Sequence, residues 1–359
     1  MSRAAETSRR GASRGEVLVA AAAVALIAAG VAAIAYAVWR TGRPRPANFR
    51  ADVPPPPPTD PNLVVCEEIR GGFATGFTKS RGLAVGAGDV LYVSGDFAVR
   101  MFDPNGQRVR EIAVPEPPGP VGVAPDGALY VGSGGRVLVF DPAGERQGTW
   151  DAAGPNSLVT SLAVTEAEVF VADAGLREVR RLDRSGKLLG TIGRKDAARG
   201  VPGFAVPSPY FDLALAPDGL LRVVSPGRRR IEAYTLDGDF EGAWGAYAVT
   251  PEGFSGCCNP ANMALTGVDA NAGRFDGFVT AEKGLTRVKL YDSTGTLLGL
   301  VAGPESFRTH DERLGGNPPG MPFQALDVAV DGGGRIAVLD PMTNEVRFFR
   351  RKKAQGAAP

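Results

Sequence analysis

Histidine and cysteine are scarce in this chain. Among 359 residues there is one histidine, His310, and there are three cysteines. A single histidine leaves no set of imidazole groups that could hold a catalytic zinc ion. Any metal chemistry would therefore depend on carboxylates, amides or the few thiols.

Net charge is also almost absent. Lysine and arginine number 40 and aspartate and glutamate 39, which leaves a formal charge of +1. Without an overall positive field, nucleic acid is not an expected partner. Aromatic residues make up only 8%, whereas there are 48 glycines and 29 prolines. This composition predicts many short strands joined by tight turns.

The N-terminal part differs from the rest of the chain. A short basic segment, residues 1–16, precedes the uncharged run VLVAAAAVALIAAGVAAIAYAVW at 17–39. As a helix this run would be about 34 Å long, enough to cross a bilayer. We expect an uncleaved transmembrane anchor; a cleaved signal peptide is the alternative, because Ala35 to Ala37 reads AYA.

The next segment, residues 40–61, is rich in proline and contains five consecutive prolines. Consecutive prolines favour the extended polyproline II conformation. The segment is therefore expected to act as a stiff linker. Since all foldable sequence follows it, we expect that part outside the cytoplasm, on the periplasmic side of a cell membrane.

Internal repeats dominate residues 62–353. Six similar units begin near Gly82, Val121, Leu162, Leu213, Met263 and Leu326. One unit reads VGVAPDGALYVGSGGRVLVFDPAGERQGTW, an alternation of apolar runs with Asp-Gly and Gly-Gly turns. Each unit predicts four antiparallel strands, and six such units predict an all-β, six-bladed β-propeller. Residues 354–359 form a short tail.

The repeats resemble NHL repeats of bacterial type. An apolar strand, an Asp-Gly turn, a YVAD-type strand and a V-x-x-F/Y-D-x-x-G strand recur from Arg81 to Arg351. The resemblance implies the fold and does not imply an activity. The sixth unit lacks its fourth strand, and the orphan β segment LVVCEEI at 63–69 is predicted to supply it and close the ring.

Three long loops between units are expected on one face of the propeller. They begin at Arg194, Gly245 and Gly303, and they would make this face the binding surface. The candidate ligand-binding residues are Cys257, Cys258, Asn259, Asn262, Glu282, Lys283, Arg287 and His310.

Carboxylates near the channel suggest two interpretations. Asp173, Glu282 and Asp340, with Asn262, could hold Ca²⁺ through oxygen ligands. Alternatively each aspartate orders the turn that follows its strand. In the fifth unit, Glu282, Lys283 and Arg287 form either a local ion-pair network or a site for an anionic ligand.

The adjacent cysteines have several possible roles. A Cys257–Cys258 disulfide would be strained, which suits a redox switch. Cys66 could instead bond to one of the pair, the two thiolates could hold a soft metal, or the thiols could be reduced and buried.

The sequence thus predicts a binding or scaffold module rather than an enzyme. Its partner would be a protein or a small ligand on the loop-rich face. The alternatives are a divalent-metal hydrolase resembling lactonases, or a redox component that uses Cys257 and Cys258.

Overall fold

The computed structural model describes residues 14–41, 59–256, 258–307 and 325–353. In residues 14–41, side chains are described at 22, 23 and 25–36. The chain divides into two compact units, Met1–Pro56 and Pro57–Pro359, and each is described by itself.

The first unit contains helix α1, Arg14–Thr41. Among the described residues, no helix combines the length and the apolar character of a membrane span. The transmembrane helix predicted at 17–39 is therefore not supported by the structure.

The second unit is a six-bladed β-propeller, as the repeats predicted. Its strands form six four-stranded sheets. The strands are β1 (Cys66–Ala74), β2 (Ser80–Val85), β3 (Leu91–Gly95), β4 (Ala98–Phe102), β5 (Arg108–Ala113), β6 (Val121–Val123), β7 (Leu129–Ser133), β8 (Arg136–Phe140), β9 (Arg146–Trp150), β10 (Val159–Val164), β11 (Glu168–Asp173), β12 (Glu178–Asp183), β13 (Leu188–Ile192), β14 (Leu213–Leu215), β15 (Leu221–Ser225), β16 (Arg230–Tyr234), β17 (Phe240–Trp244), β18 (Asn262–Thr266), β19 (Gly277–Glu282), β20 (Arg287–Asp292), β21 (Leu297–Ala302), β22 (Asp327–Val330), β23 (Ile336–Asp340) and β24 (Glu345–Arg351).

Five blades use four consecutive strands, and the sixth is built from both ends of the unit. Strand β1 pairs antiparallel with β24, so the order in this blade is β1-β24-β23-β22. The segment predicted at 63–69 corresponds to this strand, which is observed at Cys66–Ala74. The pairing closes the ring.

The first strand of each blade lies next to the channel. These strands contact one another in the order β2, β6, β10, β14, β18 and β22, and β22 in turn contacts β2. The residues that begin the blades are therefore neighbours around one axis, although they are far apart in sequence.

Apolar side chains fill the space between neighbouring blades. In the described chain the buried hydrophobic residues form six clusters, and each joins side chains of two adjacent sheets. One cluster joins blade six to blade one and contains Val93, Phe102 and Phe348. A blade cannot bury both of its faces alone, so the packing stabilises the ring as a whole.

The turns between third and fourth strands explain the repeated Asp-x-x-Gly pattern. The Oδ1 atom of Asp103 accepts hydrogen bonds from the backbone N–H groups of Asn105, at 2.9 Å, and Gln107, at 2.8 Å. Gly106 follows with φ of 82°, a conformation that favours glycine. Asp183 makes the same two backbone contacts in the third blade.

The contribution of strand β1 to the stability of the closed ring can be tested by substitution of Phe73. Phe73 of β1 packs against Phe102 at 4.3 Å between ring centroids and against Phe348 at 6.2 Å. We expect Phe73→Ala to lower the free energy of unfolding by about 2 kcal/mol, because it removes a half-buried ring from this cluster. Urea denaturation measures the change.

The matched control is Phe97→Ala, since Phe97 is 59% exposed. Its effect should stay within about 0.5 kcal/mol. Equal losses in the two variants would show that β1 does not stabilise the ring.

Candidate functional site

A cavity of about 440 Å³ lies at one end of the channel. First-strand residues such as Leu83, Val121 and Met263 line it, together with residues of the connections between blades, such as Leu158 and Tyr210. It therefore opens on the face that carries the interblade loops. Its size and mixed apolar and polar lining are typical of small-molecule sites.

Two carboxyl groups, Asp212 and Asp327, line this cavity. Asp212 accepts hydrogen bonds from the backbone N–H of Leu213, at 2.9 Å, and from that of Met263 in the next blade, at 2.7 Å. Asp327 repeats the arrangement with Val328, at 2.9 Å, and Leu83 of blade one, at 2.7 Å. Each carboxyl thus joins two neighbouring blades at the axis.

The environment raises the pKa of both groups. Burial raises the pKa of Asp212 to about 6, although the Ser161 hydroxyl and two backbone N–H groups oppose the shift. Burial and the charge of Asp212 raise the pKa of Asp327 to about 7. Both side chains are half-buried because the cavity reaches them, yet the surrounding protein excludes most bulk water.

The sequence analysis missed these two residues, although the repeats contain the signal. Asp212 directly precedes Leu213, which pairs with Val223 at the centre of the second strand of its blade. Asp327 precedes Val328, which pairs with Val338 in the same way. At this position the six blades have Gly82, Pro120, Ser161, Asp212, Asn262 and Asp327. Alignment of the repeats on the first strand would have shown four successive polar residues around the axis.

Asn262 was predicted as a site residue and does line the cavity. Its Nδ2 atom donates to the carbonyl oxygen of Leu326 in the next blade, at 2.7 Å. It therefore belongs to the same axial ring as Asp212 and Asp327.

The mouth of the cavity contains aromatic and cationic groups. The hydroxyl of Tyr210 accepts a hydrogen bond from the N–H of Ala325 at 3.2 Å, and burial raises its pKa to about 12. The Lys283 ammonium lies 4.9 Å from the centroid of the Tyr210 ring. Lys79 and Arg81 also line the cavity and are exposed. The mouth is thus positive and the interior carries carboxyl groups.

The loop before β18 is held by a buried ion-pair network. Glu282 accepts hydrogen bonds from Arg287 and, at 2.9 Å, from the backbone N–H of Ser255. The Lys289 ammonium lies 3.4 Å from Glu282 and donates to the carbonyl oxygen of Gly253 at 2.8 Å. Burial lowers the pKa of Lys289 to about 8. These contacts fit the ion-pair interpretation of Glu282 and Arg287.

Asn259 fixes the other end of this loop. Its side chain donates to the carbonyl oxygens of Ser255, at 2.6 Å, and Lys283, at 2.9 Å, and accepts from the N–H of Lys283 at 2.9 Å. The structure therefore brings Asn259 and Lys283 together, and the contact is made by the backbone of Lys283 rather than by its ammonium group. Within the described chain these bonds give Asn259 a role in holding the loop.

Of the three cysteines, the structure describes Cys66 and Cys258, so the predicted Cys257–Cys258 pair lies partly outside the described residues. Cys258 is buried and does not line the cavity, while Cys257 lies outside the described residues, as does His310. Cys66 is a free thiol on β1, so the structure does not contain the bond from Cys66 to the pair. Burial raises the pKa of Cys66 to about 11, which disfavours the reactive thiolate.

Asp173 and Asp340, predicted as metal ligands, bond to the backbone in the described structure. In the part of the chain that the structure describes, no three histidine, cysteine, aspartate or glutamate side chains are grouped to hold a metal ion. Asp173 instead accepts hydrogen bonds from the backbone N–H groups of Leu158, at 2.9 Å, and Leu176, at 3.0 Å. Asp340 accepts a hydrogen bond from the backbone N–H of Met342 at 2.8 Å. Both aspartates order the backbone beside their strands.

Comparison with known proteins identifies the fold. No family model and no curated protein matches the chain, so the NHL resemblance stays a prediction. A structure of streptogramin B lyase is similar over 80% of this chain and 97% of that chain, with a TM-score of 0.52 and 10% identity. A protein of unknown function from Bacteroides thetaiotaomicron is similar over 79% of this chain and 72% of that chain, with a TM-score of 0.50 and 15% identity. At these identities the likeness shows the propeller fold alone.

Substitution of Glu282 tests the ion-pair network. In Glu282→Gln the two buried cations Arg287 and Lys289 lose their carboxylate partner. We expect the free energy of unfolding to fall by about 3 kcal/mol, because uncompensated buried charge is costly. Urea denaturation at pH 7 measures it, and limited proteolysis reports whether the loop is released.

Glu241→Gln is the matched control, since Glu241 is exposed on β17. Its effect should stay within about 0.5 kcal/mol. A change of the same small size in Glu282→Gln would contradict the structural role of the network.

Proposed function

We propose that the protein is a binding module that takes up a small ligand in the axial cavity of its propeller. The cavity between the first strands supports this proposal: it has about 440 Å³, a mixed apolar and polar lining, and polar side chains that converge from different blades. Sites of this kind fix the orientation of a ligand through a small number of polar contacts. The proposal concerns binding, and no catalytic step is part of it.

The shape of the cavity favours a small ligand over a protein partner. Protein interfaces bury broad surfaces, about 800 Å² on each side. The polar groups Asp212, Asn262 and Asp327 instead lie in the channel, where a compact molecule can reach several blades at once. A ligand at this position would contact residues that only the closed ring brings together.

Met263 offers a direct readout of ligand binding. It lines the cavity, and its N–H is bonded to Asp212. The chain has 5 methionines, so methyl spectra of protein labelled with [ε-¹³C]methionine are simple, and Met263→Leu assigns the signal. When a library of neutral and charged fragments is screened, we expect the ligands that bind to shift the Met263 methyl.

Met101 serves as the internal control, because it lies on β4 and does not line the cavity. Fragments that shift both methyls equally would be acting non-specifically. The proposal would be wrong if fragments bind the protein yet leave Met263 unchanged, or if none binds.

The location of the propeller is a separate proposal. We propose that it lies outside the cytoplasm and is attached to the membrane through residues 17–39. The support comes from the sequence alone, from the uncharged run at 17–39 and the proline-rich segment that follows. The structure adds no support, since no described helix qualifies as a span.

Fractionation of cells that express the full chain tests this location. We expect the protein in the membrane pellet after alkaline carbonate washing, with the propeller digested by protease added to spheroplasts. A cytoplasmic enzyme should stay intact in the same sample. Recovery of the protein in the soluble fraction would contradict the membrane attachment.

A further inference from the structure

The two half-buried carboxyls of the cavity differ in their partners from the buried carboxylates of the second unit. In the second unit, five buried carboxylates are paired with arginine: Asp173 with Arg180, Glu178 with Arg194, Glu232 with Arg230, Glu282 with Arg287 and Asp331 with Arg335. The buried Asp340 accepts a hydrogen bond from the N–H of Met342, and its charge acts on Arg347. The groups that act on Asp212 and Asp327 within the described residues include no lysine or arginine. Buried carboxylates normally have a cation close by.

Both carboxyls retain capacity to bind a further group. An ionised carboxylate can accept about four hydrogen bonds. Asp327 uses two with backbone N–H groups, and Asp212 uses two with backbone groups and one with Ser161. The backbone bonds also fix the orientation of each carboxyl at the cavity, so a ligand would meet preorganised acceptors.

A metal ion fits this arrangement poorly. Ca²⁺ takes 6–8 oxygen ligands, whereas in the described chain the axial ring adds only Asn262 and Ser161 to Asp212 and Asp327 as polar side chains. No group of three or more potential metal-binding side chains is present in the described parts of the chain. The cavity is also much larger than an ion, and prolines, leucines and Tyr210 form much of its wall. These features suit an organic cation with an apolar body.

We propose that the axial cavity binds a small molecule with one protonated amine, whose ammonium group is held by Asp212 and Asp327 and whose apolar part contacts the cavity wall. This inference rests on the proposed binding function and specifies the ligand class. The exposed cations Lys79 and Arg81 at the mouth would repel a second ammonium group, which favours a monoamine over a polyamine.

Binding of an ammonium ion should depend on pH. The pKa values of Asp212 and Asp327, about 6 and about 7, mean that acid removes the negative charge that attracts the ligand. Among the residues that the structure describes, the other ionisable groups around the cavity are Lys79, Arg81, Tyr210 and, beside Tyr210, Lys283. Since acid neutralises the two carboxylates, affinity for the ammonium ion should rise with pH between pH 5 and 7.5.

The test uses the full-length protein and one amine with two isosteres. Isothermal titration calorimetry at pH 7.5 compares 2-phenylethylammonium with neutral 2-phenylethanol and anionic 3-phenylpropionate. Spectra of the Met263 methyl show whether each compound enters the cavity. We expect the amine to bind at least about tenfold more tightly than either isostere.

Variants connect this preference to the carboxyls. Asp327→Asn and, separately, Asp212→Asn should each weaken amine binding by about tenfold or more and leave 2-phenylethanol unchanged. Asp151→Asn is the matched control, because it removes an exposed carboxylate from an interblade loop of the same face. Circular dichroism confirms that each variant is folded before titration.

The pH profile of the unmodified protein needs no variant and stays informative if neither asparagine variant folds. Affinity for the amine should fall at least about tenfold from pH 7.5 to pH 5. His310 lies outside the described residues, so His310→Ala controls for its titration and should give the same profile.

The outcomes separate the two proposals. If 2-phenylethanol shifts Met263 as strongly as the amine, or if amine binding is independent of pH, the ammonium inference is wrong while the cavity remains a ligand site. If CaCl₂ shifts Met263 and the amine does not, the site holds a metal ion and the inference is again wrong. If neither the three compounds nor the fragment library shifts Met263, both proposals fail.

Discussion

The antiparallel pairing of β1 with β24 is the constraint on which the rest of the molecule depends. It places a strand from the start of the propeller in the last blade and so joins blade six to blade one. Because each apolar cluster lies between two blades, an open ring would leave one of the clusters incomplete. The axial cavity needs the same closure, since Asp327 of blade six bonds to the N–H of Leu83 in blade one. Stability and the candidate site therefore share one origin.

Charged residues at the middle of the third strands are a second recurring feature. In four blades a cation directly follows a buried valine of the third strand: Arg100, Arg180, Lys289 and Arg347. Three of them, Arg100, Lys289 and Arg347, contact the loop that enters their own blade. Arg100 donates to the carbonyl oxygen of Thr75 at 3.0 Å, and Arg347 donates to that of Ser306 at 2.7 Å. Irregular loops leave backbone carbonyls unpaired, and these cations satisfy them. The loop-bearing face is thereby built on a rigid support.

Much of the fold could be predicted because its determinants are repeated. The Asp-x-x-Gly turns and alternating apolar strands recur in each unit, and the missing strand of the sixth unit pointed to the segment that became β1. The candidate site could not be found in the same way. Asp212 and Asp327 occupy a position that is polar in four blades and is Gly82 and Pro120 in the other two, so the repeated motif does not specify a carboxylate there. The adjacent cysteines and Glu282 are unusual among the repeats, but in the structure Glu282 holds a loop, and the axial position is recognised only from the register of the first strand.

Because the sixth blade combines β1 with β24, it cannot form until almost the whole propeller has been synthesised. Glu67 of β1 pairs with Arg350, 283 residues later. At a synthesis rate of about 5–20 residues per second, β1 would wait roughly 15 to 60 s for its partner. An unpaired strand edge is prone to pair with other chains, and charged side chains reduce that tendency. Strand β1 carries Glu67, Glu68 and Arg70, all exposed, and these charges disfavour pairing with another chain before the last blade is made.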